Sequence, residues 1–192
     1  MTITNKYVLF WGEDWPSNFA PSPITTYDDF WEKGLFGNEP YFPPTITFKT
    51  AEAYYQSRKA VMAGDKDSYY KIANASTPAE TKKIARNIKL DPKKWDKERV
   101  KYMWETIQSK FNQNKELKEK LLSPEYLDKK FVEASPYDSF WGAGKSESSL
   151  VQEIDRYGDI QWWDYERDLP RATNMLGELL TKLRDKIEYF LI

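Results

Sequence analysis

The sequence predicts an α+β fold that is mainly helical and has a few short strands. Three observations support this class. Helix start signals followed by apolar residues at three- and four-residue spacing occupy much of the middle and the end of the chain. Only three short runs have the apolar character of buried strands. The chain has 192 residues, of which 40% are hydrophobic and 31% charged, as expected for one globular domain.

The predicted strands are short and lie far apart in the sequence. They are Tyr7 to Trp11, Ile46 to Phe48, and Phe131 to Ala134. Residues 12–23 are rich in turn formers, which predicts a loop. Residues 25–44 contain two glycines and three prolines, so we expect irregular structure there.

The predicted helices begin at recognisable caps. Thr50 is the expected N-cap of a helix that reaches Ala63 and stops at Gly64. Thr77-Pro78-Ala79-Glu80 combines a capping Thr, a Pro in the first turn and a capping-box Glu, and predicts a helix to about Asn87.

Three more helices follow. Asp91-Pro92 starts a long helix that ends near Phe111, and a short helix spans 115–122. Thr173 or Asn174 caps the last helix, whose apolar residues repeat every three or four positions. Residues 135–145 are predicted to be a loop, and 146–171 a polar, partly helical segment.

Two residue types are missing, and their absence limits the chemistry. Without cysteine, the chain has no disulfide, thiolate nucleophile or Cys-ligated zinc. Without histidine, it has no His general base, no Ser-His-Asp triad and no His-ligated metal. Catalysis must therefore use carboxylates, amines, hydroxyls or backbone groups. The lack of cysteine is typical of a reducing compartment, so we expect a cytoplasmic protein.

Charge and hydropathy exclude further classes. With 29 basic and 30 acidic residues the net charge is -1, which gives no bulk attraction to nucleic acid. No apolar stretch approaches the length of a membrane span, and residues 1–6 lack the pattern of a secretory signal. Aromatic residues reach 16%, which indicates either a core of large rings or a pocket that stacks on a flat heterocycle.

Four short segments carry side chains suited to chemistry or binding. Glu52, Gln56 and Lys59 are spaced i, i+4 and i+7, so they share one helix face. The loop 135–144 places Trp141 between Asp138 and two glycines. The other two segments are the loop Trp15-Pro16-Ser17-Asn18-Phe19 and the helix start Asn174-Met175-Leu176-Gly177. Each taken alone is also compatible with an ordinary surface helix, turn or cap.

Together, and in this order, the segments resemble motifs of the NADAR (YbiA-like) family. The first two blocks are SNFAPSP at 17–23 and TAEAYYQ followed by KA within 50–60. The third block, within 95–111, contains W-D, R, M and K-F, and the fourth, within 133–142, contains EASP, D and W-G. The fifth block, within 174–184, contains N-x-L-G, L and R. The blocks span nearly the whole chain. The resemblance implies one domain over residues 1–192, with insertions at 25–44 and 146–171.

The resemblance also implies an activity, cleavage of an N-glycosidic bond between ribose C1′ and a base or amine. We expect the chain to remove ADP-ribose from a modified guanine base in nucleic acid. One alternative is hydrolysis of phosphorylated ribosylamino-pyrimidine intermediates of riboflavin synthesis. Another is a module that binds ADP-ribose or NAD without turnover, and a third is a structural partner that uses Trp162-Trp163 as an apolar patch. We expect no cofactor, metal or membrane partner.

The site residues implied by the resemblance fall into two sets. The catalytic set is Glu52 as acid or base, Lys59 as an amine able to form a Schiff base, and Asp138 to orient a ribose hydroxyl or water. Trp95 and Trp141 are expected to stack on the base, Asn18 and Asn174 to contact base and phosphate, and Arg99 either to bind phosphate or to pair with a carboxylate. The full substrate-binding set is Ser17, Asn18, Phe19, Tyr55, Gln56, Trp95, Arg99, Trp141, Gly142, Asn174 and Gly177.

Overall fold

The computed structural model describes residues 1–30 and 44–189. Its α-helices and short strands confirm the mainly helical α+β class. The strands are β1 (Thr2–Ile3), β2 (Tyr7–Phe10), β3 (Pro21–Tyr27), β4 (Thr45–Thr50), β5 (Lys130–Glu133), β6 (Trp163–Asp164) and β7 (Leu169–Pro170). The helices are α1 (Ala51–Ala63), α2 (Lys66–Asn74), α3 (Pro78–Arg86), α4 (Pro92–Gln113), α5 (Lys115–Leu121), α6 (Glu147–Tyr157) and α7 (Met175–Tyr189).

The chain forms two compact units. The first joins Met1–Ala20 to the chain from Glu116 onward, and the second is Pro21–Lys115. The expected insertion at 25–44 lies largely outside the described residues, because 31–43 are not described. Among the described helices none has both the length and the apolar character needed to cross a bilayer.

The second unit is built around α1. The Thr50 side chain accepts a hydrogen bond from the Ala53 amide at 3.2 Å, and Gly64 ends the helix in the left-handed conformation with φ 68°. Both are the predicted cap and stop. Every residue from 51 to 58 is buried, and α1 contacts α2, α3, α4, β3 and β4. Polar residues of this helix are therefore held inside the unit.

The predictions of a loop over 12–23 and of irregular structure over 25–44 were wrong where β3 lies, from Pro21 to Tyr27. β3 pairs antiparallel with β4, with Ile24 opposite Phe48, and Ser22 and Ile24 are fully buried. The two prolines in β3 argued against a strand, because proline has no N–H to donate to a sheet and is tolerated only at edges and irregular positions. The strand has such an irregularity between Pro21 and Ile24.

One helix was not predicted. α2 starts at Asp65, whose side chain accepts from the Ser68 amide at 3.0 Å. Its buried residues are Tyr69, Ile72 and Ala73, which pack in the core of the second unit. The remaining predicted helices are confirmed, with bounds that differ by one or two residues.

The first unit has a three-stranded sheet in the order β1-β2-β5, with β1 antiparallel and β5 parallel to β2. Helix α7 packs on β5. The segment 146–171 is helical in α6, as predicted, and also holds the hairpin β6–β7, which was not predicted. Trp162 packs against the core cluster of this unit, whereas Trp163 is 39% exposed, so this pair does not present two open rings.

Candidate active site

The predicted site residues form two groups, one in each unit, and each group has its own geometry. The second unit holds the set on α1 and α4, namely Glu52, Tyr55, Gln56, Lys59, Trp95 and Arg99. The first unit holds Ser17, Asn18, Phe19, Asp138, Trp141, Gly142, Asn174 and Gly177.

A buried carboxylate and amide lie side by side on α1. Glu52 is 5% exposed and Gln56 is 6% exposed. The Gln56 Nε2 donates a hydrogen bond to Glu52 Oε1 at 2.9 Å. This i, i+4 contact follows directly from the helical spacing. A carboxylate that accepts from a fixed amide is held in one orientation, which is what an acid/base group needs.

Lys59 lies on the same face of α1 as Glu52 and Gln56, and the Glu52 charge is one of the influences on its pKa. Burial lowers the pKa of the Lys59 ammonium, and Lys82 and Arg86 lower it further, while the Glu52 charge acts in the opposite direction. The amine is therefore deprotonated more readily than a solvated lysine. A neutral amine is the form that attacks carbonyl or imine carbon.

An aromatic cluster borders the Lys59 ammonium. The Lys59 Nζ lies 5.1 Å from the centre of the Trp95 ring. Trp95 stacks with Tyr102 at 5.9 Å between ring centroids and an interplanar angle of 15°, and packs against Tyr55 at 5.3 Å. Next to this cluster, Arg99 Nε lies 3.4 Å from Asp96 Oδ1. Of the two roles expected for Arg99, phosphate binding and pairing with a carboxylate, the structure shows the pairing.

In the first unit, Asp138 organises the loop that carries Trp141. Its Oδ1 accepts from the amides of Phe140 at 2.9 Å and Trp141 at 2.8 Å. Its backbone oxygen accepts from the Gly144 amide at 3.1 Å. The Trp141 ring meets the Phe140 ring edge to face at 4.8 Å. These contacts fix the loop as a rigid turn.

Two glycines of the first unit allow close backbone approach. A Cβ on Gly142 would lie 2.8 Å from the Glu133 carbonyl oxygen. A Cβ on Gly177 would overlap the Phe131 carbonyl oxygen and the Asn174 side chain. Both positions therefore let a loop or helix lie directly against β5.

Asn174 also serves β5. Its Oδ1 accepts from the Glu133 amide at 3.0 Å, and its Nδ2 donates to the Phe131 carbonyl at 2.9 Å. The residue is 2% exposed and has φ 45°, a conformation that asparagine tolerates better than most residues. The structure thus gives Asn174 a positioning role that its sequence pattern did not predict.

The loop before β3 is closed by its own polar groups. Ser17 and Asn18 are 3% and 4% exposed. Ser17 Oγ accepts from the Phe19 amide at 3.2 Å, while the Ser17 carbonyl accepts from the Ala20 amide at 3.3 Å. The nearby Trp15 packs against Phe131 at 5.8 Å, which ties the loop to the sheet.

Comparison with known proteins identifies the family. The NADAR domain model matches residues 9–188. The chain belongs to the NADAR family. A NADAR relative from Acanthamoeba polyphaga mimivirus, named N-glycosidase R617, is 31% identical over 95% of this chain and 97% of its own length. A maize protein named "Riboflavin biosynthesis protein PYRR, chloroplastic" is 30% identical over 89% of this chain and 23% of its own.

A solved structure supports the same fold. The NMR structure of the Escherichia coli protein YbiA superposes with a TM-score of 0.63, covering 98% of this chain and 89% of that one at 22% identity. At this identity the likeness establishes the NADAR fold, and the site must be argued from this chain's own residues.

Sequence reasoning missed one residue of this NADAR chain. Lys110 is fully buried, and burial lowers the pKa of its ammonium to about 7. Its Nζ lies 5.3 Å from the centre of the Phe111 ring. The K-F pair was part of the matching block on α4 but was not named as a site, because spacing alone does not reveal complete burial.

Proposed function

We propose that this chain hydrolyses the bond between ribose C1′ and an exocyclic amine, and that its substrate is a guanine base carrying ADP-ribose in nucleic acid. The observation that carries the proposal is the set on α1. A buried carboxylate held by an amide lies on the same face as an amine whose pKa is lowered. These groups can supply acid/base or imine chemistry in a chain that has no histidine and no cysteine.

Family membership supports the coarser part of the proposal. Relatives named N-glycosidases match most of the chain, so the protein is a hydrolase of N-glycosyl bonds. Guanine and ADP-ribose as the two halves of the substrate are the finer part. We take guanine and ADP-ribose from the family resemblance. Guanine also has the exocyclic amine that must leave C1′ in the proposed reaction.

The first route needs only Glu52. In its acid form, Glu52 gives a proton to the glycosidic nitrogen, and the electrons of the C1′–N bond move to that nitrogen as the amine leaves. The resulting oxocarbenium-like C1′ is attacked by water. The water proton returns to Glu52, so the products are a free amine and a ribose with a hydroxyl at C1′.

The second route adds Lys59. The sugar ring opens to an imine at C1′ as the N–H proton passes to the ring oxygen, and the neutral Lys59 amine adds to that carbon. The original amine leaves with a proton from Glu52, which gives a lysine iminium and a Glu52 carboxylate. Water then adds to the iminium carbon and returns a proton to Glu52, and departure of the Lys59 amine releases the sugar aldehyde. Trapping of a covalent adduct by borohydride in wild type, and its loss in Lys59→Ala, would support this route. An active Lys59→Ala without any adduct in wild type would eliminate it.

We also propose substrate contacts, on the basis of the family resemblance, for residues of the first unit. We assign Asp138 to a ribose hydroxyl or water through the oxygen not committed to its loop, and Trp141 to the face of the base. Asn18 remains the proposed contact to the base edge. We assign Asn174 to the support of β5 and not to the phosphate contact expected from the resemblance, because both ends of its amide already bond β5.

A second candidate substrate has one observation in its favour. The maize relative carries riboflavin biosynthesis in its name. A phosphorylated ribosylamino-pyrimidine has the same C1′–N bond to an exocyclic amine, so the same Glu52 chemistry would apply.

Product analysis separates these candidates. Purified wild type would be incubated with an oligonucleotide that carries ADP-ribosylated guanine and, separately, with the phosphorylated ribosylamino-pyrimidine. Mass spectrometry of the first reaction is expected to show unmodified oligonucleotide and free ADP-ribose. Turnover of the pyrimidine alone would assign the chain to metabolite hydrolysis. Binding of ADP-ribose with turnover of neither would make it a binding module.

A further inference from the structure

The amide of Gln56 has one hydrogen-bonded end and one end without a partner. Its Nε2 donates to Glu52 Oε1 at 2.9 Å. Its Oε1 is buried and has no hydrogen-bond partner among the described residues. A buried acceptor without a donor is costly and uncommon in folded proteins. Gln56 Oε1 is therefore a candidate to accept a hydrogen bond from a bound ligand.

The orientation of this amide follows from the chemistry of its neighbour. A carboxyl oxygen that carries no proton only accepts hydrogen bonds, so the NH₂ end of Gln56 faces Glu52 Oε1, whether Glu52 is ionised or carries its proton on the other oxygen. The two residues that follow Gln56 in sequence bond other groups. Ser57 Oγ donates to the Tyr54 carbonyl at 2.7 Å, and the Arg58 guanidinium bonds both oxygens of Asp29 at 3.2 and 2.7 Å. Oε1 is thus the end left for a bound molecule.

We propose that Gln56 Oε1 accepts a hydrogen bond from the N–H of the glycosidic nitrogen, and that this contact selects glycosides of exocyclic amines. The inference rests on the proposed function. When ribose is joined to an exocyclic amine, the glycosidic nitrogen keeps one hydrogen. In an ordinary nucleoside the base is joined through a ring nitrogen that has none. A single acceptor therefore distinguishes a modified base from the normal nucleosides around it.

The position of the acceptor also suits the reaction. Gln56 contacts Glu52 directly, so the proton donor and the N–H acceptor can address one nitrogen. Once Glu52 has protonated that nitrogen, the N–H bond to Oε1 becomes charge-assisted and stronger. An interaction that strengthens as the bond breaks accelerates the chemical step.

The test compares two substrates that differ only at the glycosidic nitrogen, an ADP-ribosylated guanine with N–H and its N-methyl analogue. Wild type is expected to favour the N–H substrate by at least about tenfold in kcat/KM, the value of one hydrogen bond. Gln56→Met keeps the volume of the side chain and is expected to lose this preference. Gln113→Met, which removes a glutamine bonded to the Thr25 backbone, is expected to retain it.

A second variant guards against a folding defect. Gln56→Glu keeps the acceptor oxygen and is expected to retain the N–H preference at a lower rate, with circular dichroism checking the fold of each variant. Retention of the wild-type preference in folded Gln56→Met, or its loss in folded Gln56→Glu, would overturn the inference and leave the N-glycosidase proposal standing. Failure of wild type to cleave either substrate would instead refute the proposed function, and this inference with it.

Discussion

The helix α1 and the segment around β5 both match family motifs, yet they use their polar side chains differently. On α1, Glu52 and Gln56 bond each other, and the Gln56 oxygen has no partner among the described residues. Beside β5, both ends of the Asn174 amide form hydrogen bonds with the backbone. At Gly177, any side chain larger than hydrogen would overlap neighbouring atoms. A motif side chain can thus bond a second motif side chain in one region and support the backbone in another.

The largest expected effect comes from Glu52→Gln, which preserves shape and removes the acid/base group. We expect kcat/KM to fall by about 10²- to 10⁴-fold, the usual contribution of a positioned acid or base. The free energy of unfolding should change little. Glu116→Gln, at an exposed carboxylate, is the matched control and should keep full activity. Equal activity of Glu52→Gln and wild type would remove α1 from the chemistry.

Gly177→Ala tests the architectural side of the comparison. The added Cβ would overlap the Phe131 carbonyl oxygen, so α7 must move away from β5. We expect a loss of about 3 kcal/mol in the free energy of unfolding, measured by urea denaturation. Gly158→Ala is the control, because its Cβ would meet nothing and only its left-handed backbone, φ 72°, adds a cost of about 1 kcal/mol. Equal losses in the two variants would contradict the close contact.

Asn174→Ala tests whether that side chain serves the fold or the ligand. It leaves the Glu133 amide and the Phe131 carbonyl without their side-chain partner, and should cost about 2 kcal/mol of stability. Activity per folded molecule should fall much less than in Glu52→Gln. Asn87→Ala, which removes an exposed bond to the Lys83 carbonyl, should stay within about 0.5 kcal/mol of wild type. A stable, inactive Asn174→Ala would restore the role in phosphate binding expected from the sequence.

Lys110 extends the comparison to α4, since it is another buried polar group of the second unit. Burial lowers its pKa to about 7 from an ordinary value of 10.5, so between these pH values the unfolded chain binds more protons. Stability should therefore rise with pH across this window, by up to about 1.4 kcal/mol per pH unit from this group. Lys110→Met should lack that slope when the two proteins are compared by denaturation. Parallel pH profiles would mean that the folded protein keeps Lys110 charged.

The smallest effect is that of salt. A chain with net charge -1 should recognise the modified base through the side chains of its site and make few phosphate contacts. Between 50 and 200 mM salt, kcat/KM on a modified oligonucleotide should fall less than about tenfold, against roughly 10³ or more for six to ten phosphate contacts. A steep fall would show that backbone contacts dominate binding.

The sequence was sufficient to predict those features that depend on local geometry. Caps at Thr50 and Thr77 fixed helix starts, and i, i+4 spacing brought Gln56 onto Glu52. The sequence did not predict β3, because prolines are unusual in a strand. Its pairing partner β4 is also separated from it by residues whose sequence has no strand pattern. The role of Asn174 could not be predicted either, since its bonds join positions 41 and 43 residues apart.

The most direct test of this account measures activity and unfolding free energy together for Glu52→Gln and Asn174→Ala, using an oligonucleotide that carries ADP-ribosylated guanine. We expect opposite patterns in the two variants. Glu52→Gln should be stable and should release ADP-ribose about 10²- to 10⁴-fold more slowly than wild type, whereas Asn174→Ala should be less stable and should release it at a rate close to wild type per folded molecule. An active Glu52→Gln beside a stable, inactive Asn174→Ala would contradict the assignment of chemistry to α1 and of architecture to the segment around β5.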